Sequence, residues 1–118
     1  MQFKEDLGNA LVELYKITSN VLPSDVISAL KKAQETEKGN SKLFIDFILQ
    51  NIEIAKQESR PICQDTGFPF FIVYCPKGES TKELAEIIHS SSEKATANFL
   101  RPNSVNPISE KNIGNIPE

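Results

Sequence analysis

The sequence predicts an α+β fold that is mainly helical, with about four helices and one short strand or small sheet, as a fragment of a larger domain. Four segments place apolar residues at the three- and four-residue spacing of amphipathic helices. The segment FPFFIVYC, residues 68–75, is instead rich in aromatic and β-branched residues, which is typical of a strand. Prolines and glycines between these segments mark the predicted boundaries.

The first two predicted helices precede residue 40. In residues 2–19 the apolar positions at helical spacing are Phe3, Leu7, Ala10, Leu11, Leu14 and Ile17. After a break at residues 20–23, Ser24 is placed to cap a second helix, because its hydroxyl can accept an otherwise unpaired backbone N–H. The apolar face of that helix consists of Val26, Ile27, Leu30 and Ala33. Gly39 suits the left-handed position at which helices end.

The third predicted helix is the most apolar of the four. Ser41 is its predicted cap. Its apolar positions are Phe44, Ile45, Phe47, Ile48, Leu49, Ile52, Ile54 and Ala55. So many apolar positions predict a helix that is buried on two sides. It should end near Ser59, because Pro61 cannot continue a helix and restricts Arg60 before it.

The predicted strand and the fourth helix follow. Because Pro69 lacks a backbone N–H, it must lie at the start of the strand, or the strand must lie at the edge of a sheet. Ser80 and Glu83 have the spacing of a capping box and start the helix, which Pro102 ends. Its apolar face includes Leu84, Ile87 and Ile88.

The composition changes after residue 100. Residues 1–100 are predicted to form the helical part of the chain. Residues 101–118, RPNSVNPISEKNIGNIPE, contain three prolines and four asparagines and few apolar residues. This composition is typical of an extended and flexible terminal segment.

Charge and hydropathy narrow the class of protein. The net charge of −3 argues against a nucleic-acid binder, which usually carries a basic stripe. No apolar run approaches the roughly 18 residues that indicate a membrane span. The N-terminus lacks the small-residue cleavage site of a secretion signal, so a cytoplasmic protein is expected. The two cysteines, Cys63 and Cys75, do not form a disulfide framework.

The polar loop ICQDTG, residues 62–67 and hereafter the cysteine loop, carries the candidate chemistry. The thiolate of Cys63 is a soft ligand suited to an iron–sulfur cluster or zinc. Asp65 can move a proton, and Gln64 and Thr66 can donate hydrogen bonds to a carboxylate. Residues of these types between a helix and a strand are placed at the mouth of a site.

The same residues also have a purely structural interpretation. Asp65 and Thr66 can bond to local backbone in a capped turn, and Cys63 can pack as a small hydrophobic side chain. Arg101, at the end of the fourth helix, can simply complement the helix dipole.

Two strings resemble one known family. PICQDTG, residues 61–67, is similar to the signature of the class I, iron–sulfur-dependent fumarate hydratases and the related L-tartrate dehydratases. LRPNSVNP, residues 100–107, resembles a second stretch of that family at about the expected distance downstream. The resemblance covers nearly all of the chain, but it corresponds only to the N-terminal part of the family's α subunit or α region.

This resemblance implies a role for each candidate residue. Cys63 would be one of three cysteines that hold a [4Fe–4S] cluster, whose open iron binds substrate as a Lewis acid. Gln64 and Asp65 would lie against the dicarboxylate substrate, with Asp65 transferring a proton or orienting the hydroxyl. Arg101 would clamp a substrate carboxylate with its guanidinium group. The implied reaction is the reversible hydration of fumarate to malate.

The chain also departs from the family pattern. The other two cluster cysteines are missing, and Cys75 does not align with a family ligand. The ending NIGNIPE lacks the family's aspartate, and the later half of the family is absent. The ligand set is therefore incomplete, and this chain alone is expected to be inactive. The resemblance implies as partners the remaining α region and a β subunit or C-terminal domain, in an oligomer.

Three alternatives to a fumarate hydratase fragment remain. The first is a tartrate dehydratase α fragment. Phe68 stands where many relatives have a small or hydroxylated residue, which indicates that the substrate can differ from fumarate. The second is a non-catalytic helical module that docks a partner through the apolar third helix. The third, a redox pair of Cys63 and Cys75, is disfavoured because eleven residues separate the two cysteines, unlike a C-x-x-C motif.

Overall fold

The computed structural model describes residues 2–67, 69–102 and 104–116 of the 118-residue chain. Its helices are α1 (Gln2–Asn20), α2 (Ser24–Thr36), α3 (Gly39–Glu58) and α4 (Thr81–Asn98). Among the described residues, no helix has the length and the apolar character that a membrane span requires. The same residues contain no strand, and their one β-type pairing is an isolated antiparallel bridge between Val105 and Asn112. The described chain is all-helical, so the predicted α+β class is wrong.

The predicted strand at residues 68–75 has a clear reason to be absent. In its described part, residues 69–75, the side chains of Phe70, Ile72 and Tyr74 are 83%, 69% and 94% exposed. Strand propensity reflects packing on a pleated, half-buried surface beside neighbouring strands. The described residues provide no such neighbour, so the β-rich composition does not produce a strand. Phe68, the first residue of the prediction, lies outside the described residues.

The helix starts were predicted with mixed success. The cap at Ser80 is confirmed, because its Oγ accepts the N–H of Glu83 at 3.3 Å. The caps predicted at Ser24 and Ser41 are wrong, since α2 begins at Ser24 itself and α3 begins at Gly39. A serine that already has helical backbone angles cannot serve as the N-cap, whose backbone is extended.

The chain divides into two compact units. The first, Ile17–Ile62, contains the end of α1 together with α2 and α3. Within it α2 packs against α3, and Ile52 and Ala55 of α3 are 3% exposed each. The connection between the two helices is held by Lys42, whose Nζ donates to the carbonyl of Gln34 at 2.9 Å.

One side of α3 remains exposed. Phe44, Phe47 and Ile48 are 64%, 55% and 45% exposed in the chain. The expectation that α3 is buried on two sides is therefore wrong for the described residues, because the helix carries more apolar surface than they cover. An exposed apolar patch of this kind is typical of an interaction surface.

The second unit, Met1–Lys16 with Cys63–Glu118, joins the first part of α1 to α4. Small residues line their contact. Ala95 is fully buried, and the Oγ of Ser91 lies 3.2 Å from the carbonyl oxygen of Gly8. Ser91 itself is 1% exposed, so this contact is dry and close. Short side chains allow two helices to approach in this way.

Tyr15 makes a polar contact between α1 and α4. Its hydroxyl oxygen lies 2.6 Å from the Oγ of Ser92, at hydrogen-bond distance. The ring of Tyr15 meets the ring of Phe71 edge to face, with 5.7 Å between the ring centres. Burial raises the pKa of Tyr15 above its ordinary value, and the hydrogen bond with Ser92 offsets part of that rise.

Replacing Tyr15 by phenylalanine is expected to lower the free energy of unfolding by about 1 kcal/mol at pH 7, because the hydrogen bond to buried Ser92 is lost. Because the pKa of Tyr15 is higher in the folded than in the unfolded protein, the neutral phenol contributes to the stability of the folded state. This contribution to the free energy of unfolding is complete below the unfolded pKa, near pH 10, and is lost as pH rises through the folded pKa. Denaturant unfolding should show that the difference in free energy of unfolding between wild type and variant is smaller above pH 10 than at pH 7.

Tyr74→Phe is the matched control, since Tyr74 is 94% exposed and its hydroxyl contributes to no buried contact among the described residues. Equal stability of the Tyr15 and Tyr74 variants at pH 7 would contradict the assigned role of the Tyr15 hydroxyl.

The residues after α4 form a turn-rich segment. The N–H of Ile113 donates to the carbonyl of Ser104, and the N–H of Asn106 donates to the carbonyl of Lys111, both at 2.9 Å. The side-chain oxygen of Asn106 also accepts backbone N–H groups two and three residues ahead, at 2.9 and 2.8 Å. Asparagine favours such turns because its amide substitutes for backbone partners. The predicted boundary at residue 100 and the flexibility of residues 101–118 stay predictions.

Candidate functional site

The cysteine loop begins shortly after α3 ends. Ser59 adopts a left-handed conformation with φ of 53°, and the N–H of Arg60 returns to the carbonyl of Ala55 at 2.9 Å. This arrangement terminates α3 as left-handed C-terminal residues commonly do. Pro61 then prevents any continuation, as the sequence predicted.

The residue before Cys63 is held at both of its backbone polar groups. The N–H of Ile62 donates to the carbonyl of Ser19 at 3.0 Å. Its carbonyl accepts a hydrogen bond from Nδ2 of Asn51 at 2.7 Å. These two bonds fix the start of the cysteine loop within the unit Ile17–Ile62.

Cys63 and Asp65 lie in a tight turn. Cys63 is exposed, and its Sγ donates to the carbonyl of Asp65 at 3.0 Å. Oδ1 of Asp65 accepts the N–H of Gly67 at 3.0 Å, a contact typical of asparagine and aspartate turns. Gly67 has φ of +75°, in the left-handed region that favours glycine. The turn interpretation is thus confirmed for Asp65, whereas the exposure of Cys63 contradicts its packing as a hydrophobic filler.

Thr66 connects this turn to Arg101, which is 35 residues away in sequence. Its Oγ1 donates to the carbonyl of Arg101 at 3.2 Å and accepts the N–H of the same residue at 3.3 Å. The structural interpretation had Thr66 bonding local backbone, and this contact is distant in sequence instead. The backbone of Arg101 therefore lies beside the cysteine loop, and its side chain is exposed.

Asn115 is a site-supporting residue that the sequence interpretation missed. It is 1% exposed, and its Nδ2 donates to the carbonyl of Arg101 at 2.7 Å and to Oγ1 of Thr96 at 3.2 Å. Its Oδ1 accepts a hydrogen bond from Ser104 at 2.9 Å. A φ of 67° explains why asparagine suits this position, because it tolerates left-handed angles better than most residues. The signal in the sequence was the density of asparagines after residue 100.

The predicted site residues are brought together only in part. Cys63, Asp65 and the backbone of Arg101 belong to one unit, and Gln64 is exposed between the first two. Cys75 is exposed in the extended segment before α4. Within the described ranges, no group of three or more His, Cys, Asp or Glu side chains could hold a metal ion. The described residues fit an iron–sulfur cluster in one respect, the exposed thiol of Cys63 on a polar loop.

Comparison with known proteins identifies the family. The family model for fumarate hydratase (Fumerase) matches residues 9–117. A protein of Geobacillus stearothermophilus named as a candidate fumarate hydratase class I is 35% identical over 113 residues, covering 93% of this chain and 22% of the relative. A Methanocaldococcus jannaschii protein named as a candidate L(+)-tartrate dehydratase subunit alpha is 35% identical over 112 residues, covering 91% of this chain and 39% of the relative.

The L(+)-tartrate dehydratase subunit alpha of Escherichia coli strain K12 is 30% identical over 118 residues, covering 94% of this chain and 39% of the relative. The chain thus spans between 22% and 39% of the length of these three relatives. Since the family model matches nearly the whole chain, including the cysteine loop and Arg101, the chain belongs to the fumarate hydratase (Fumerase) family of hydro-lyases.

Proposed function

We propose that this chain supplies the cysteine loop and a carboxylate-binding arginine to the active site of a hydro-lyase that reversibly hydrates fumarate to malate. The observation that carries the proposal is the contact of Thr66 with both backbone groups of Arg101. Two strings that resemble the family thereby meet in one unit, through residues that are 35 positions apart in sequence. Family membership supports hydro-lyase chemistry as the reaction class.

Cys63 is the proposed cluster ligand of this chain. Its thiol is exposed, and its present partner is a carbonyl oxygen of its own turn, which a metal–sulfur bond would readily replace. When bound, a [4Fe–4S] cluster supplies a Lewis-acidic iron to the hydroxyl and carboxylate oxygens of the substrate. Two further thiolates from the remaining α region would complete the ligand set.

Asp65 is the proposed proton-transfer residue, and Gln64 its neighbour against the substrate. One carboxylate oxygen of Asp65 is used by the N–H of Gly67, and that bond orients the other oxygen. Hydration adds a hydroxyl to one alkene carbon and a proton to the other, on opposite faces. A fixed carboxylate can move a proton in such a step or orient the hydroxyl.

Arg101 is the proposed substrate clamp. Its backbone is held beside the loop while its side chain is exposed, so the guanidinium group can turn toward a dicarboxylate. Guanidinium groups bind carboxylates through two parallel hydrogen bonds, which fix the substrate's orientation as well as its position.

Two alternatives are supported by particular observations. Relatives named as tartrate dehydratase alpha subunits make dehydration of tartrate an alternative reaction of the same site. The exposed Phe44 and Phe47 of α3 favour a docking role for that helix, either beside catalysis or in place of it. The name "subunit alpha" supports a second subunit as partner. The proposed assembled enzyme is an oligomer in the cytoplasm.

The test is reconstitution of the assembled enzyme, meaning this chain with the rest of its α region and its β portion. Iron and sulfide are added anaerobically, and rates with fumarate and with L(+)-tartrate are compared. We expect fumarate hydration at a higher kcat/KM than tartrate dehydration, and the reverse order would select the tartrate alternative. Activity with neither substrate, together with concentration-dependent association of the 118 residues, would instead favour the docking module.

A further inference from the structure

The backbone of Arg101 is held more completely than that of an ordinary loop residue. One side-chain oxygen, Oγ1 of Thr66, bonds to both its N–H and its carbonyl. Bonding both groups of one residue from the same side is the pattern by which a strand pairs with its neighbour. Here a threonine side chain takes the place of that neighbour. The carbonyl also accepts the third bond, from Nδ2 of Asn115 at 2.7 Å.

The Asn115 side of this arrangement is itself rigid. Its amide uses its oxygen for Ser104 and its nitrogen for Thr96 and Arg101, and its side chain is 1% exposed. Thr96 projects from α4 and also donates to the carbonyl of Gly114 at 3.1 Å. Asn115 and Ser104 are buried and Thr96 is half-buried, and a polar network whose buried members are paired favours a single arrangement.

Covalent neighbours restrict Arg101 further. Pro102 follows it and excludes helical angles at the residue before it. Leu100 precedes it, is 8% exposed, and donates its N–H to the carbonyl of Ala95 in the last turn of α4. The backbone of Arg101 is thus bonded to Thr66 and Asn115 and restricted by Pro102, while the residue itself is exposed.

We propose that Thr66 is a positioning residue, supported by Asn115, that sets the distance between the Arg101 guanidinium and the Cys63–Asp65 turn, an inference that rests on the proposed hydro-lyase function. Thr66 belongs to the turn and bonds to both backbone groups of Arg101, so it links the position of the arginine backbone to that of the turn. The distance between the turn and the guanidinium is then already set when a dicarboxylate binds to both. Setting this distance before binding lowers the entropy lost on binding.

The test compares Thr66→Val, Thr66→Ser and Thr36→Val in the assembled enzyme. Valine keeps the shape and removes the hydroxyl, whereas serine keeps the hydroxyl. Thr36 is the matched control, because among the described residues its hydroxyl bonds to carbonyls of its own helix α2. We expect Thr66→Val to raise KM for fumarate about tenfold with little change in kcat, as misplacement of a binding group does. Thr66→Ser should return KM to within about twofold of wild type, and Thr36→Val should not change it.

A double variant separates positioning from a merely structural role. In an Arg101→Ala background, Thr66→Val should cause no further rise in KM, because the side chain it positions is gone. An equal rise in both backgrounds would overturn the inference. So would an unchanged KM for Thr66→Val in an enzyme whose wild type is active, a result that leaves the proposed function intact.

A second readout needs no turnover. Calorimetric titration with succinate, a dicarboxylate without a double bond, should show weaker binding by Thr66→Val and recovery by Thr66→Ser. If wild type turns over neither fumarate nor tartrate, the proposed function fails. The positioning role then stands if succinate binding follows the stated pattern, and it falls if wild type and Thr66→Val bind succinate equally or not at all.

Discussion

Replacing Cys63 by alanine in the assembled enzyme is expected to remove the cluster and to lower kcat/KM for fumarate by at least about 100-fold. Groups that merely support metal ligands already cost 10- to 100-fold when removed, so loss of a ligand costs more. The Cys63 thiol is the one sulfur of the cysteine loop, and the described residues offer no group of ligands that could replace it. Iron content per chain and visible absorbance after anaerobic reconstitution should both fall with activity.

Cys75→Ala is the matched control for this experiment. Cys75 is also an exposed, unpaired cysteine, but it lies in the extended segment before α4. We expect the iron content and activity of the Cys75→Ala enzyme to equal those of wild type. A Cys63→Ala enzyme that keeps its full iron content would contradict the assigned ligand role, even if its activity were reduced.

Replacing Asp65 by asparagine is expected to lower kcat by about 100- to 10,000-fold, the usual contribution of a positioned acid or base. The substitution is informative because asparagine retains the oxygen that accepts the N–H of Gly67, so the turn should survive. The substitution removes the ability to take up or release a proton, together with one negative charge. KM should change far less than kcat, and the cluster absorbance should be retained.

Asp25→Asn provides the comparison for charge. Asp25 is an exposed carboxylate in the first turn of α2, and its removal alters the net charge by the same amount. We expect wild-type kcat for this variant. If Asp65→Asn instead raises KM and leaves kcat unchanged, then Asp65 orients the substrate and another group moves the proton.

Local sequence patterns predicted the helices well. They did not predict which distant segments contact one another. The spacing of apolar residues in α1 and α4 is a property of neighbouring turns, so it needs no partner. The segment at residues 69–75 shows the opposite case. Its composition favours a strand, but a strand exists only beside another, and the described residues do not provide one.

In the candidate site, too, local contacts could be predicted from the sequence and contacts between distant residues could not. Cys63 and Asp65 were found from a short string, and the turn that joins them is formed by contacts within five residues. The partnership of Thr66 with Arg101 spans 35 residues, and that of Asn115 with Thr96 spans 19. No periodicity in the sequence encodes such contacts. Asn115 looked like one more polar residue of a terminal segment, although it is among the most buried residues of the chain.

The exposure of both cysteines has a consequence for the life of the chain before any cluster is loaded. A thiol that solvent reaches is open to oxidants, which convert it to sulfenic acid and then to a disulfide with another thiol. Two such thiols per chain allow copies to become cross-linked in air. Once Cys63 is consumed in this way it is no longer a ligand, so cluster loading and oxidation compete for the same sulfur atom.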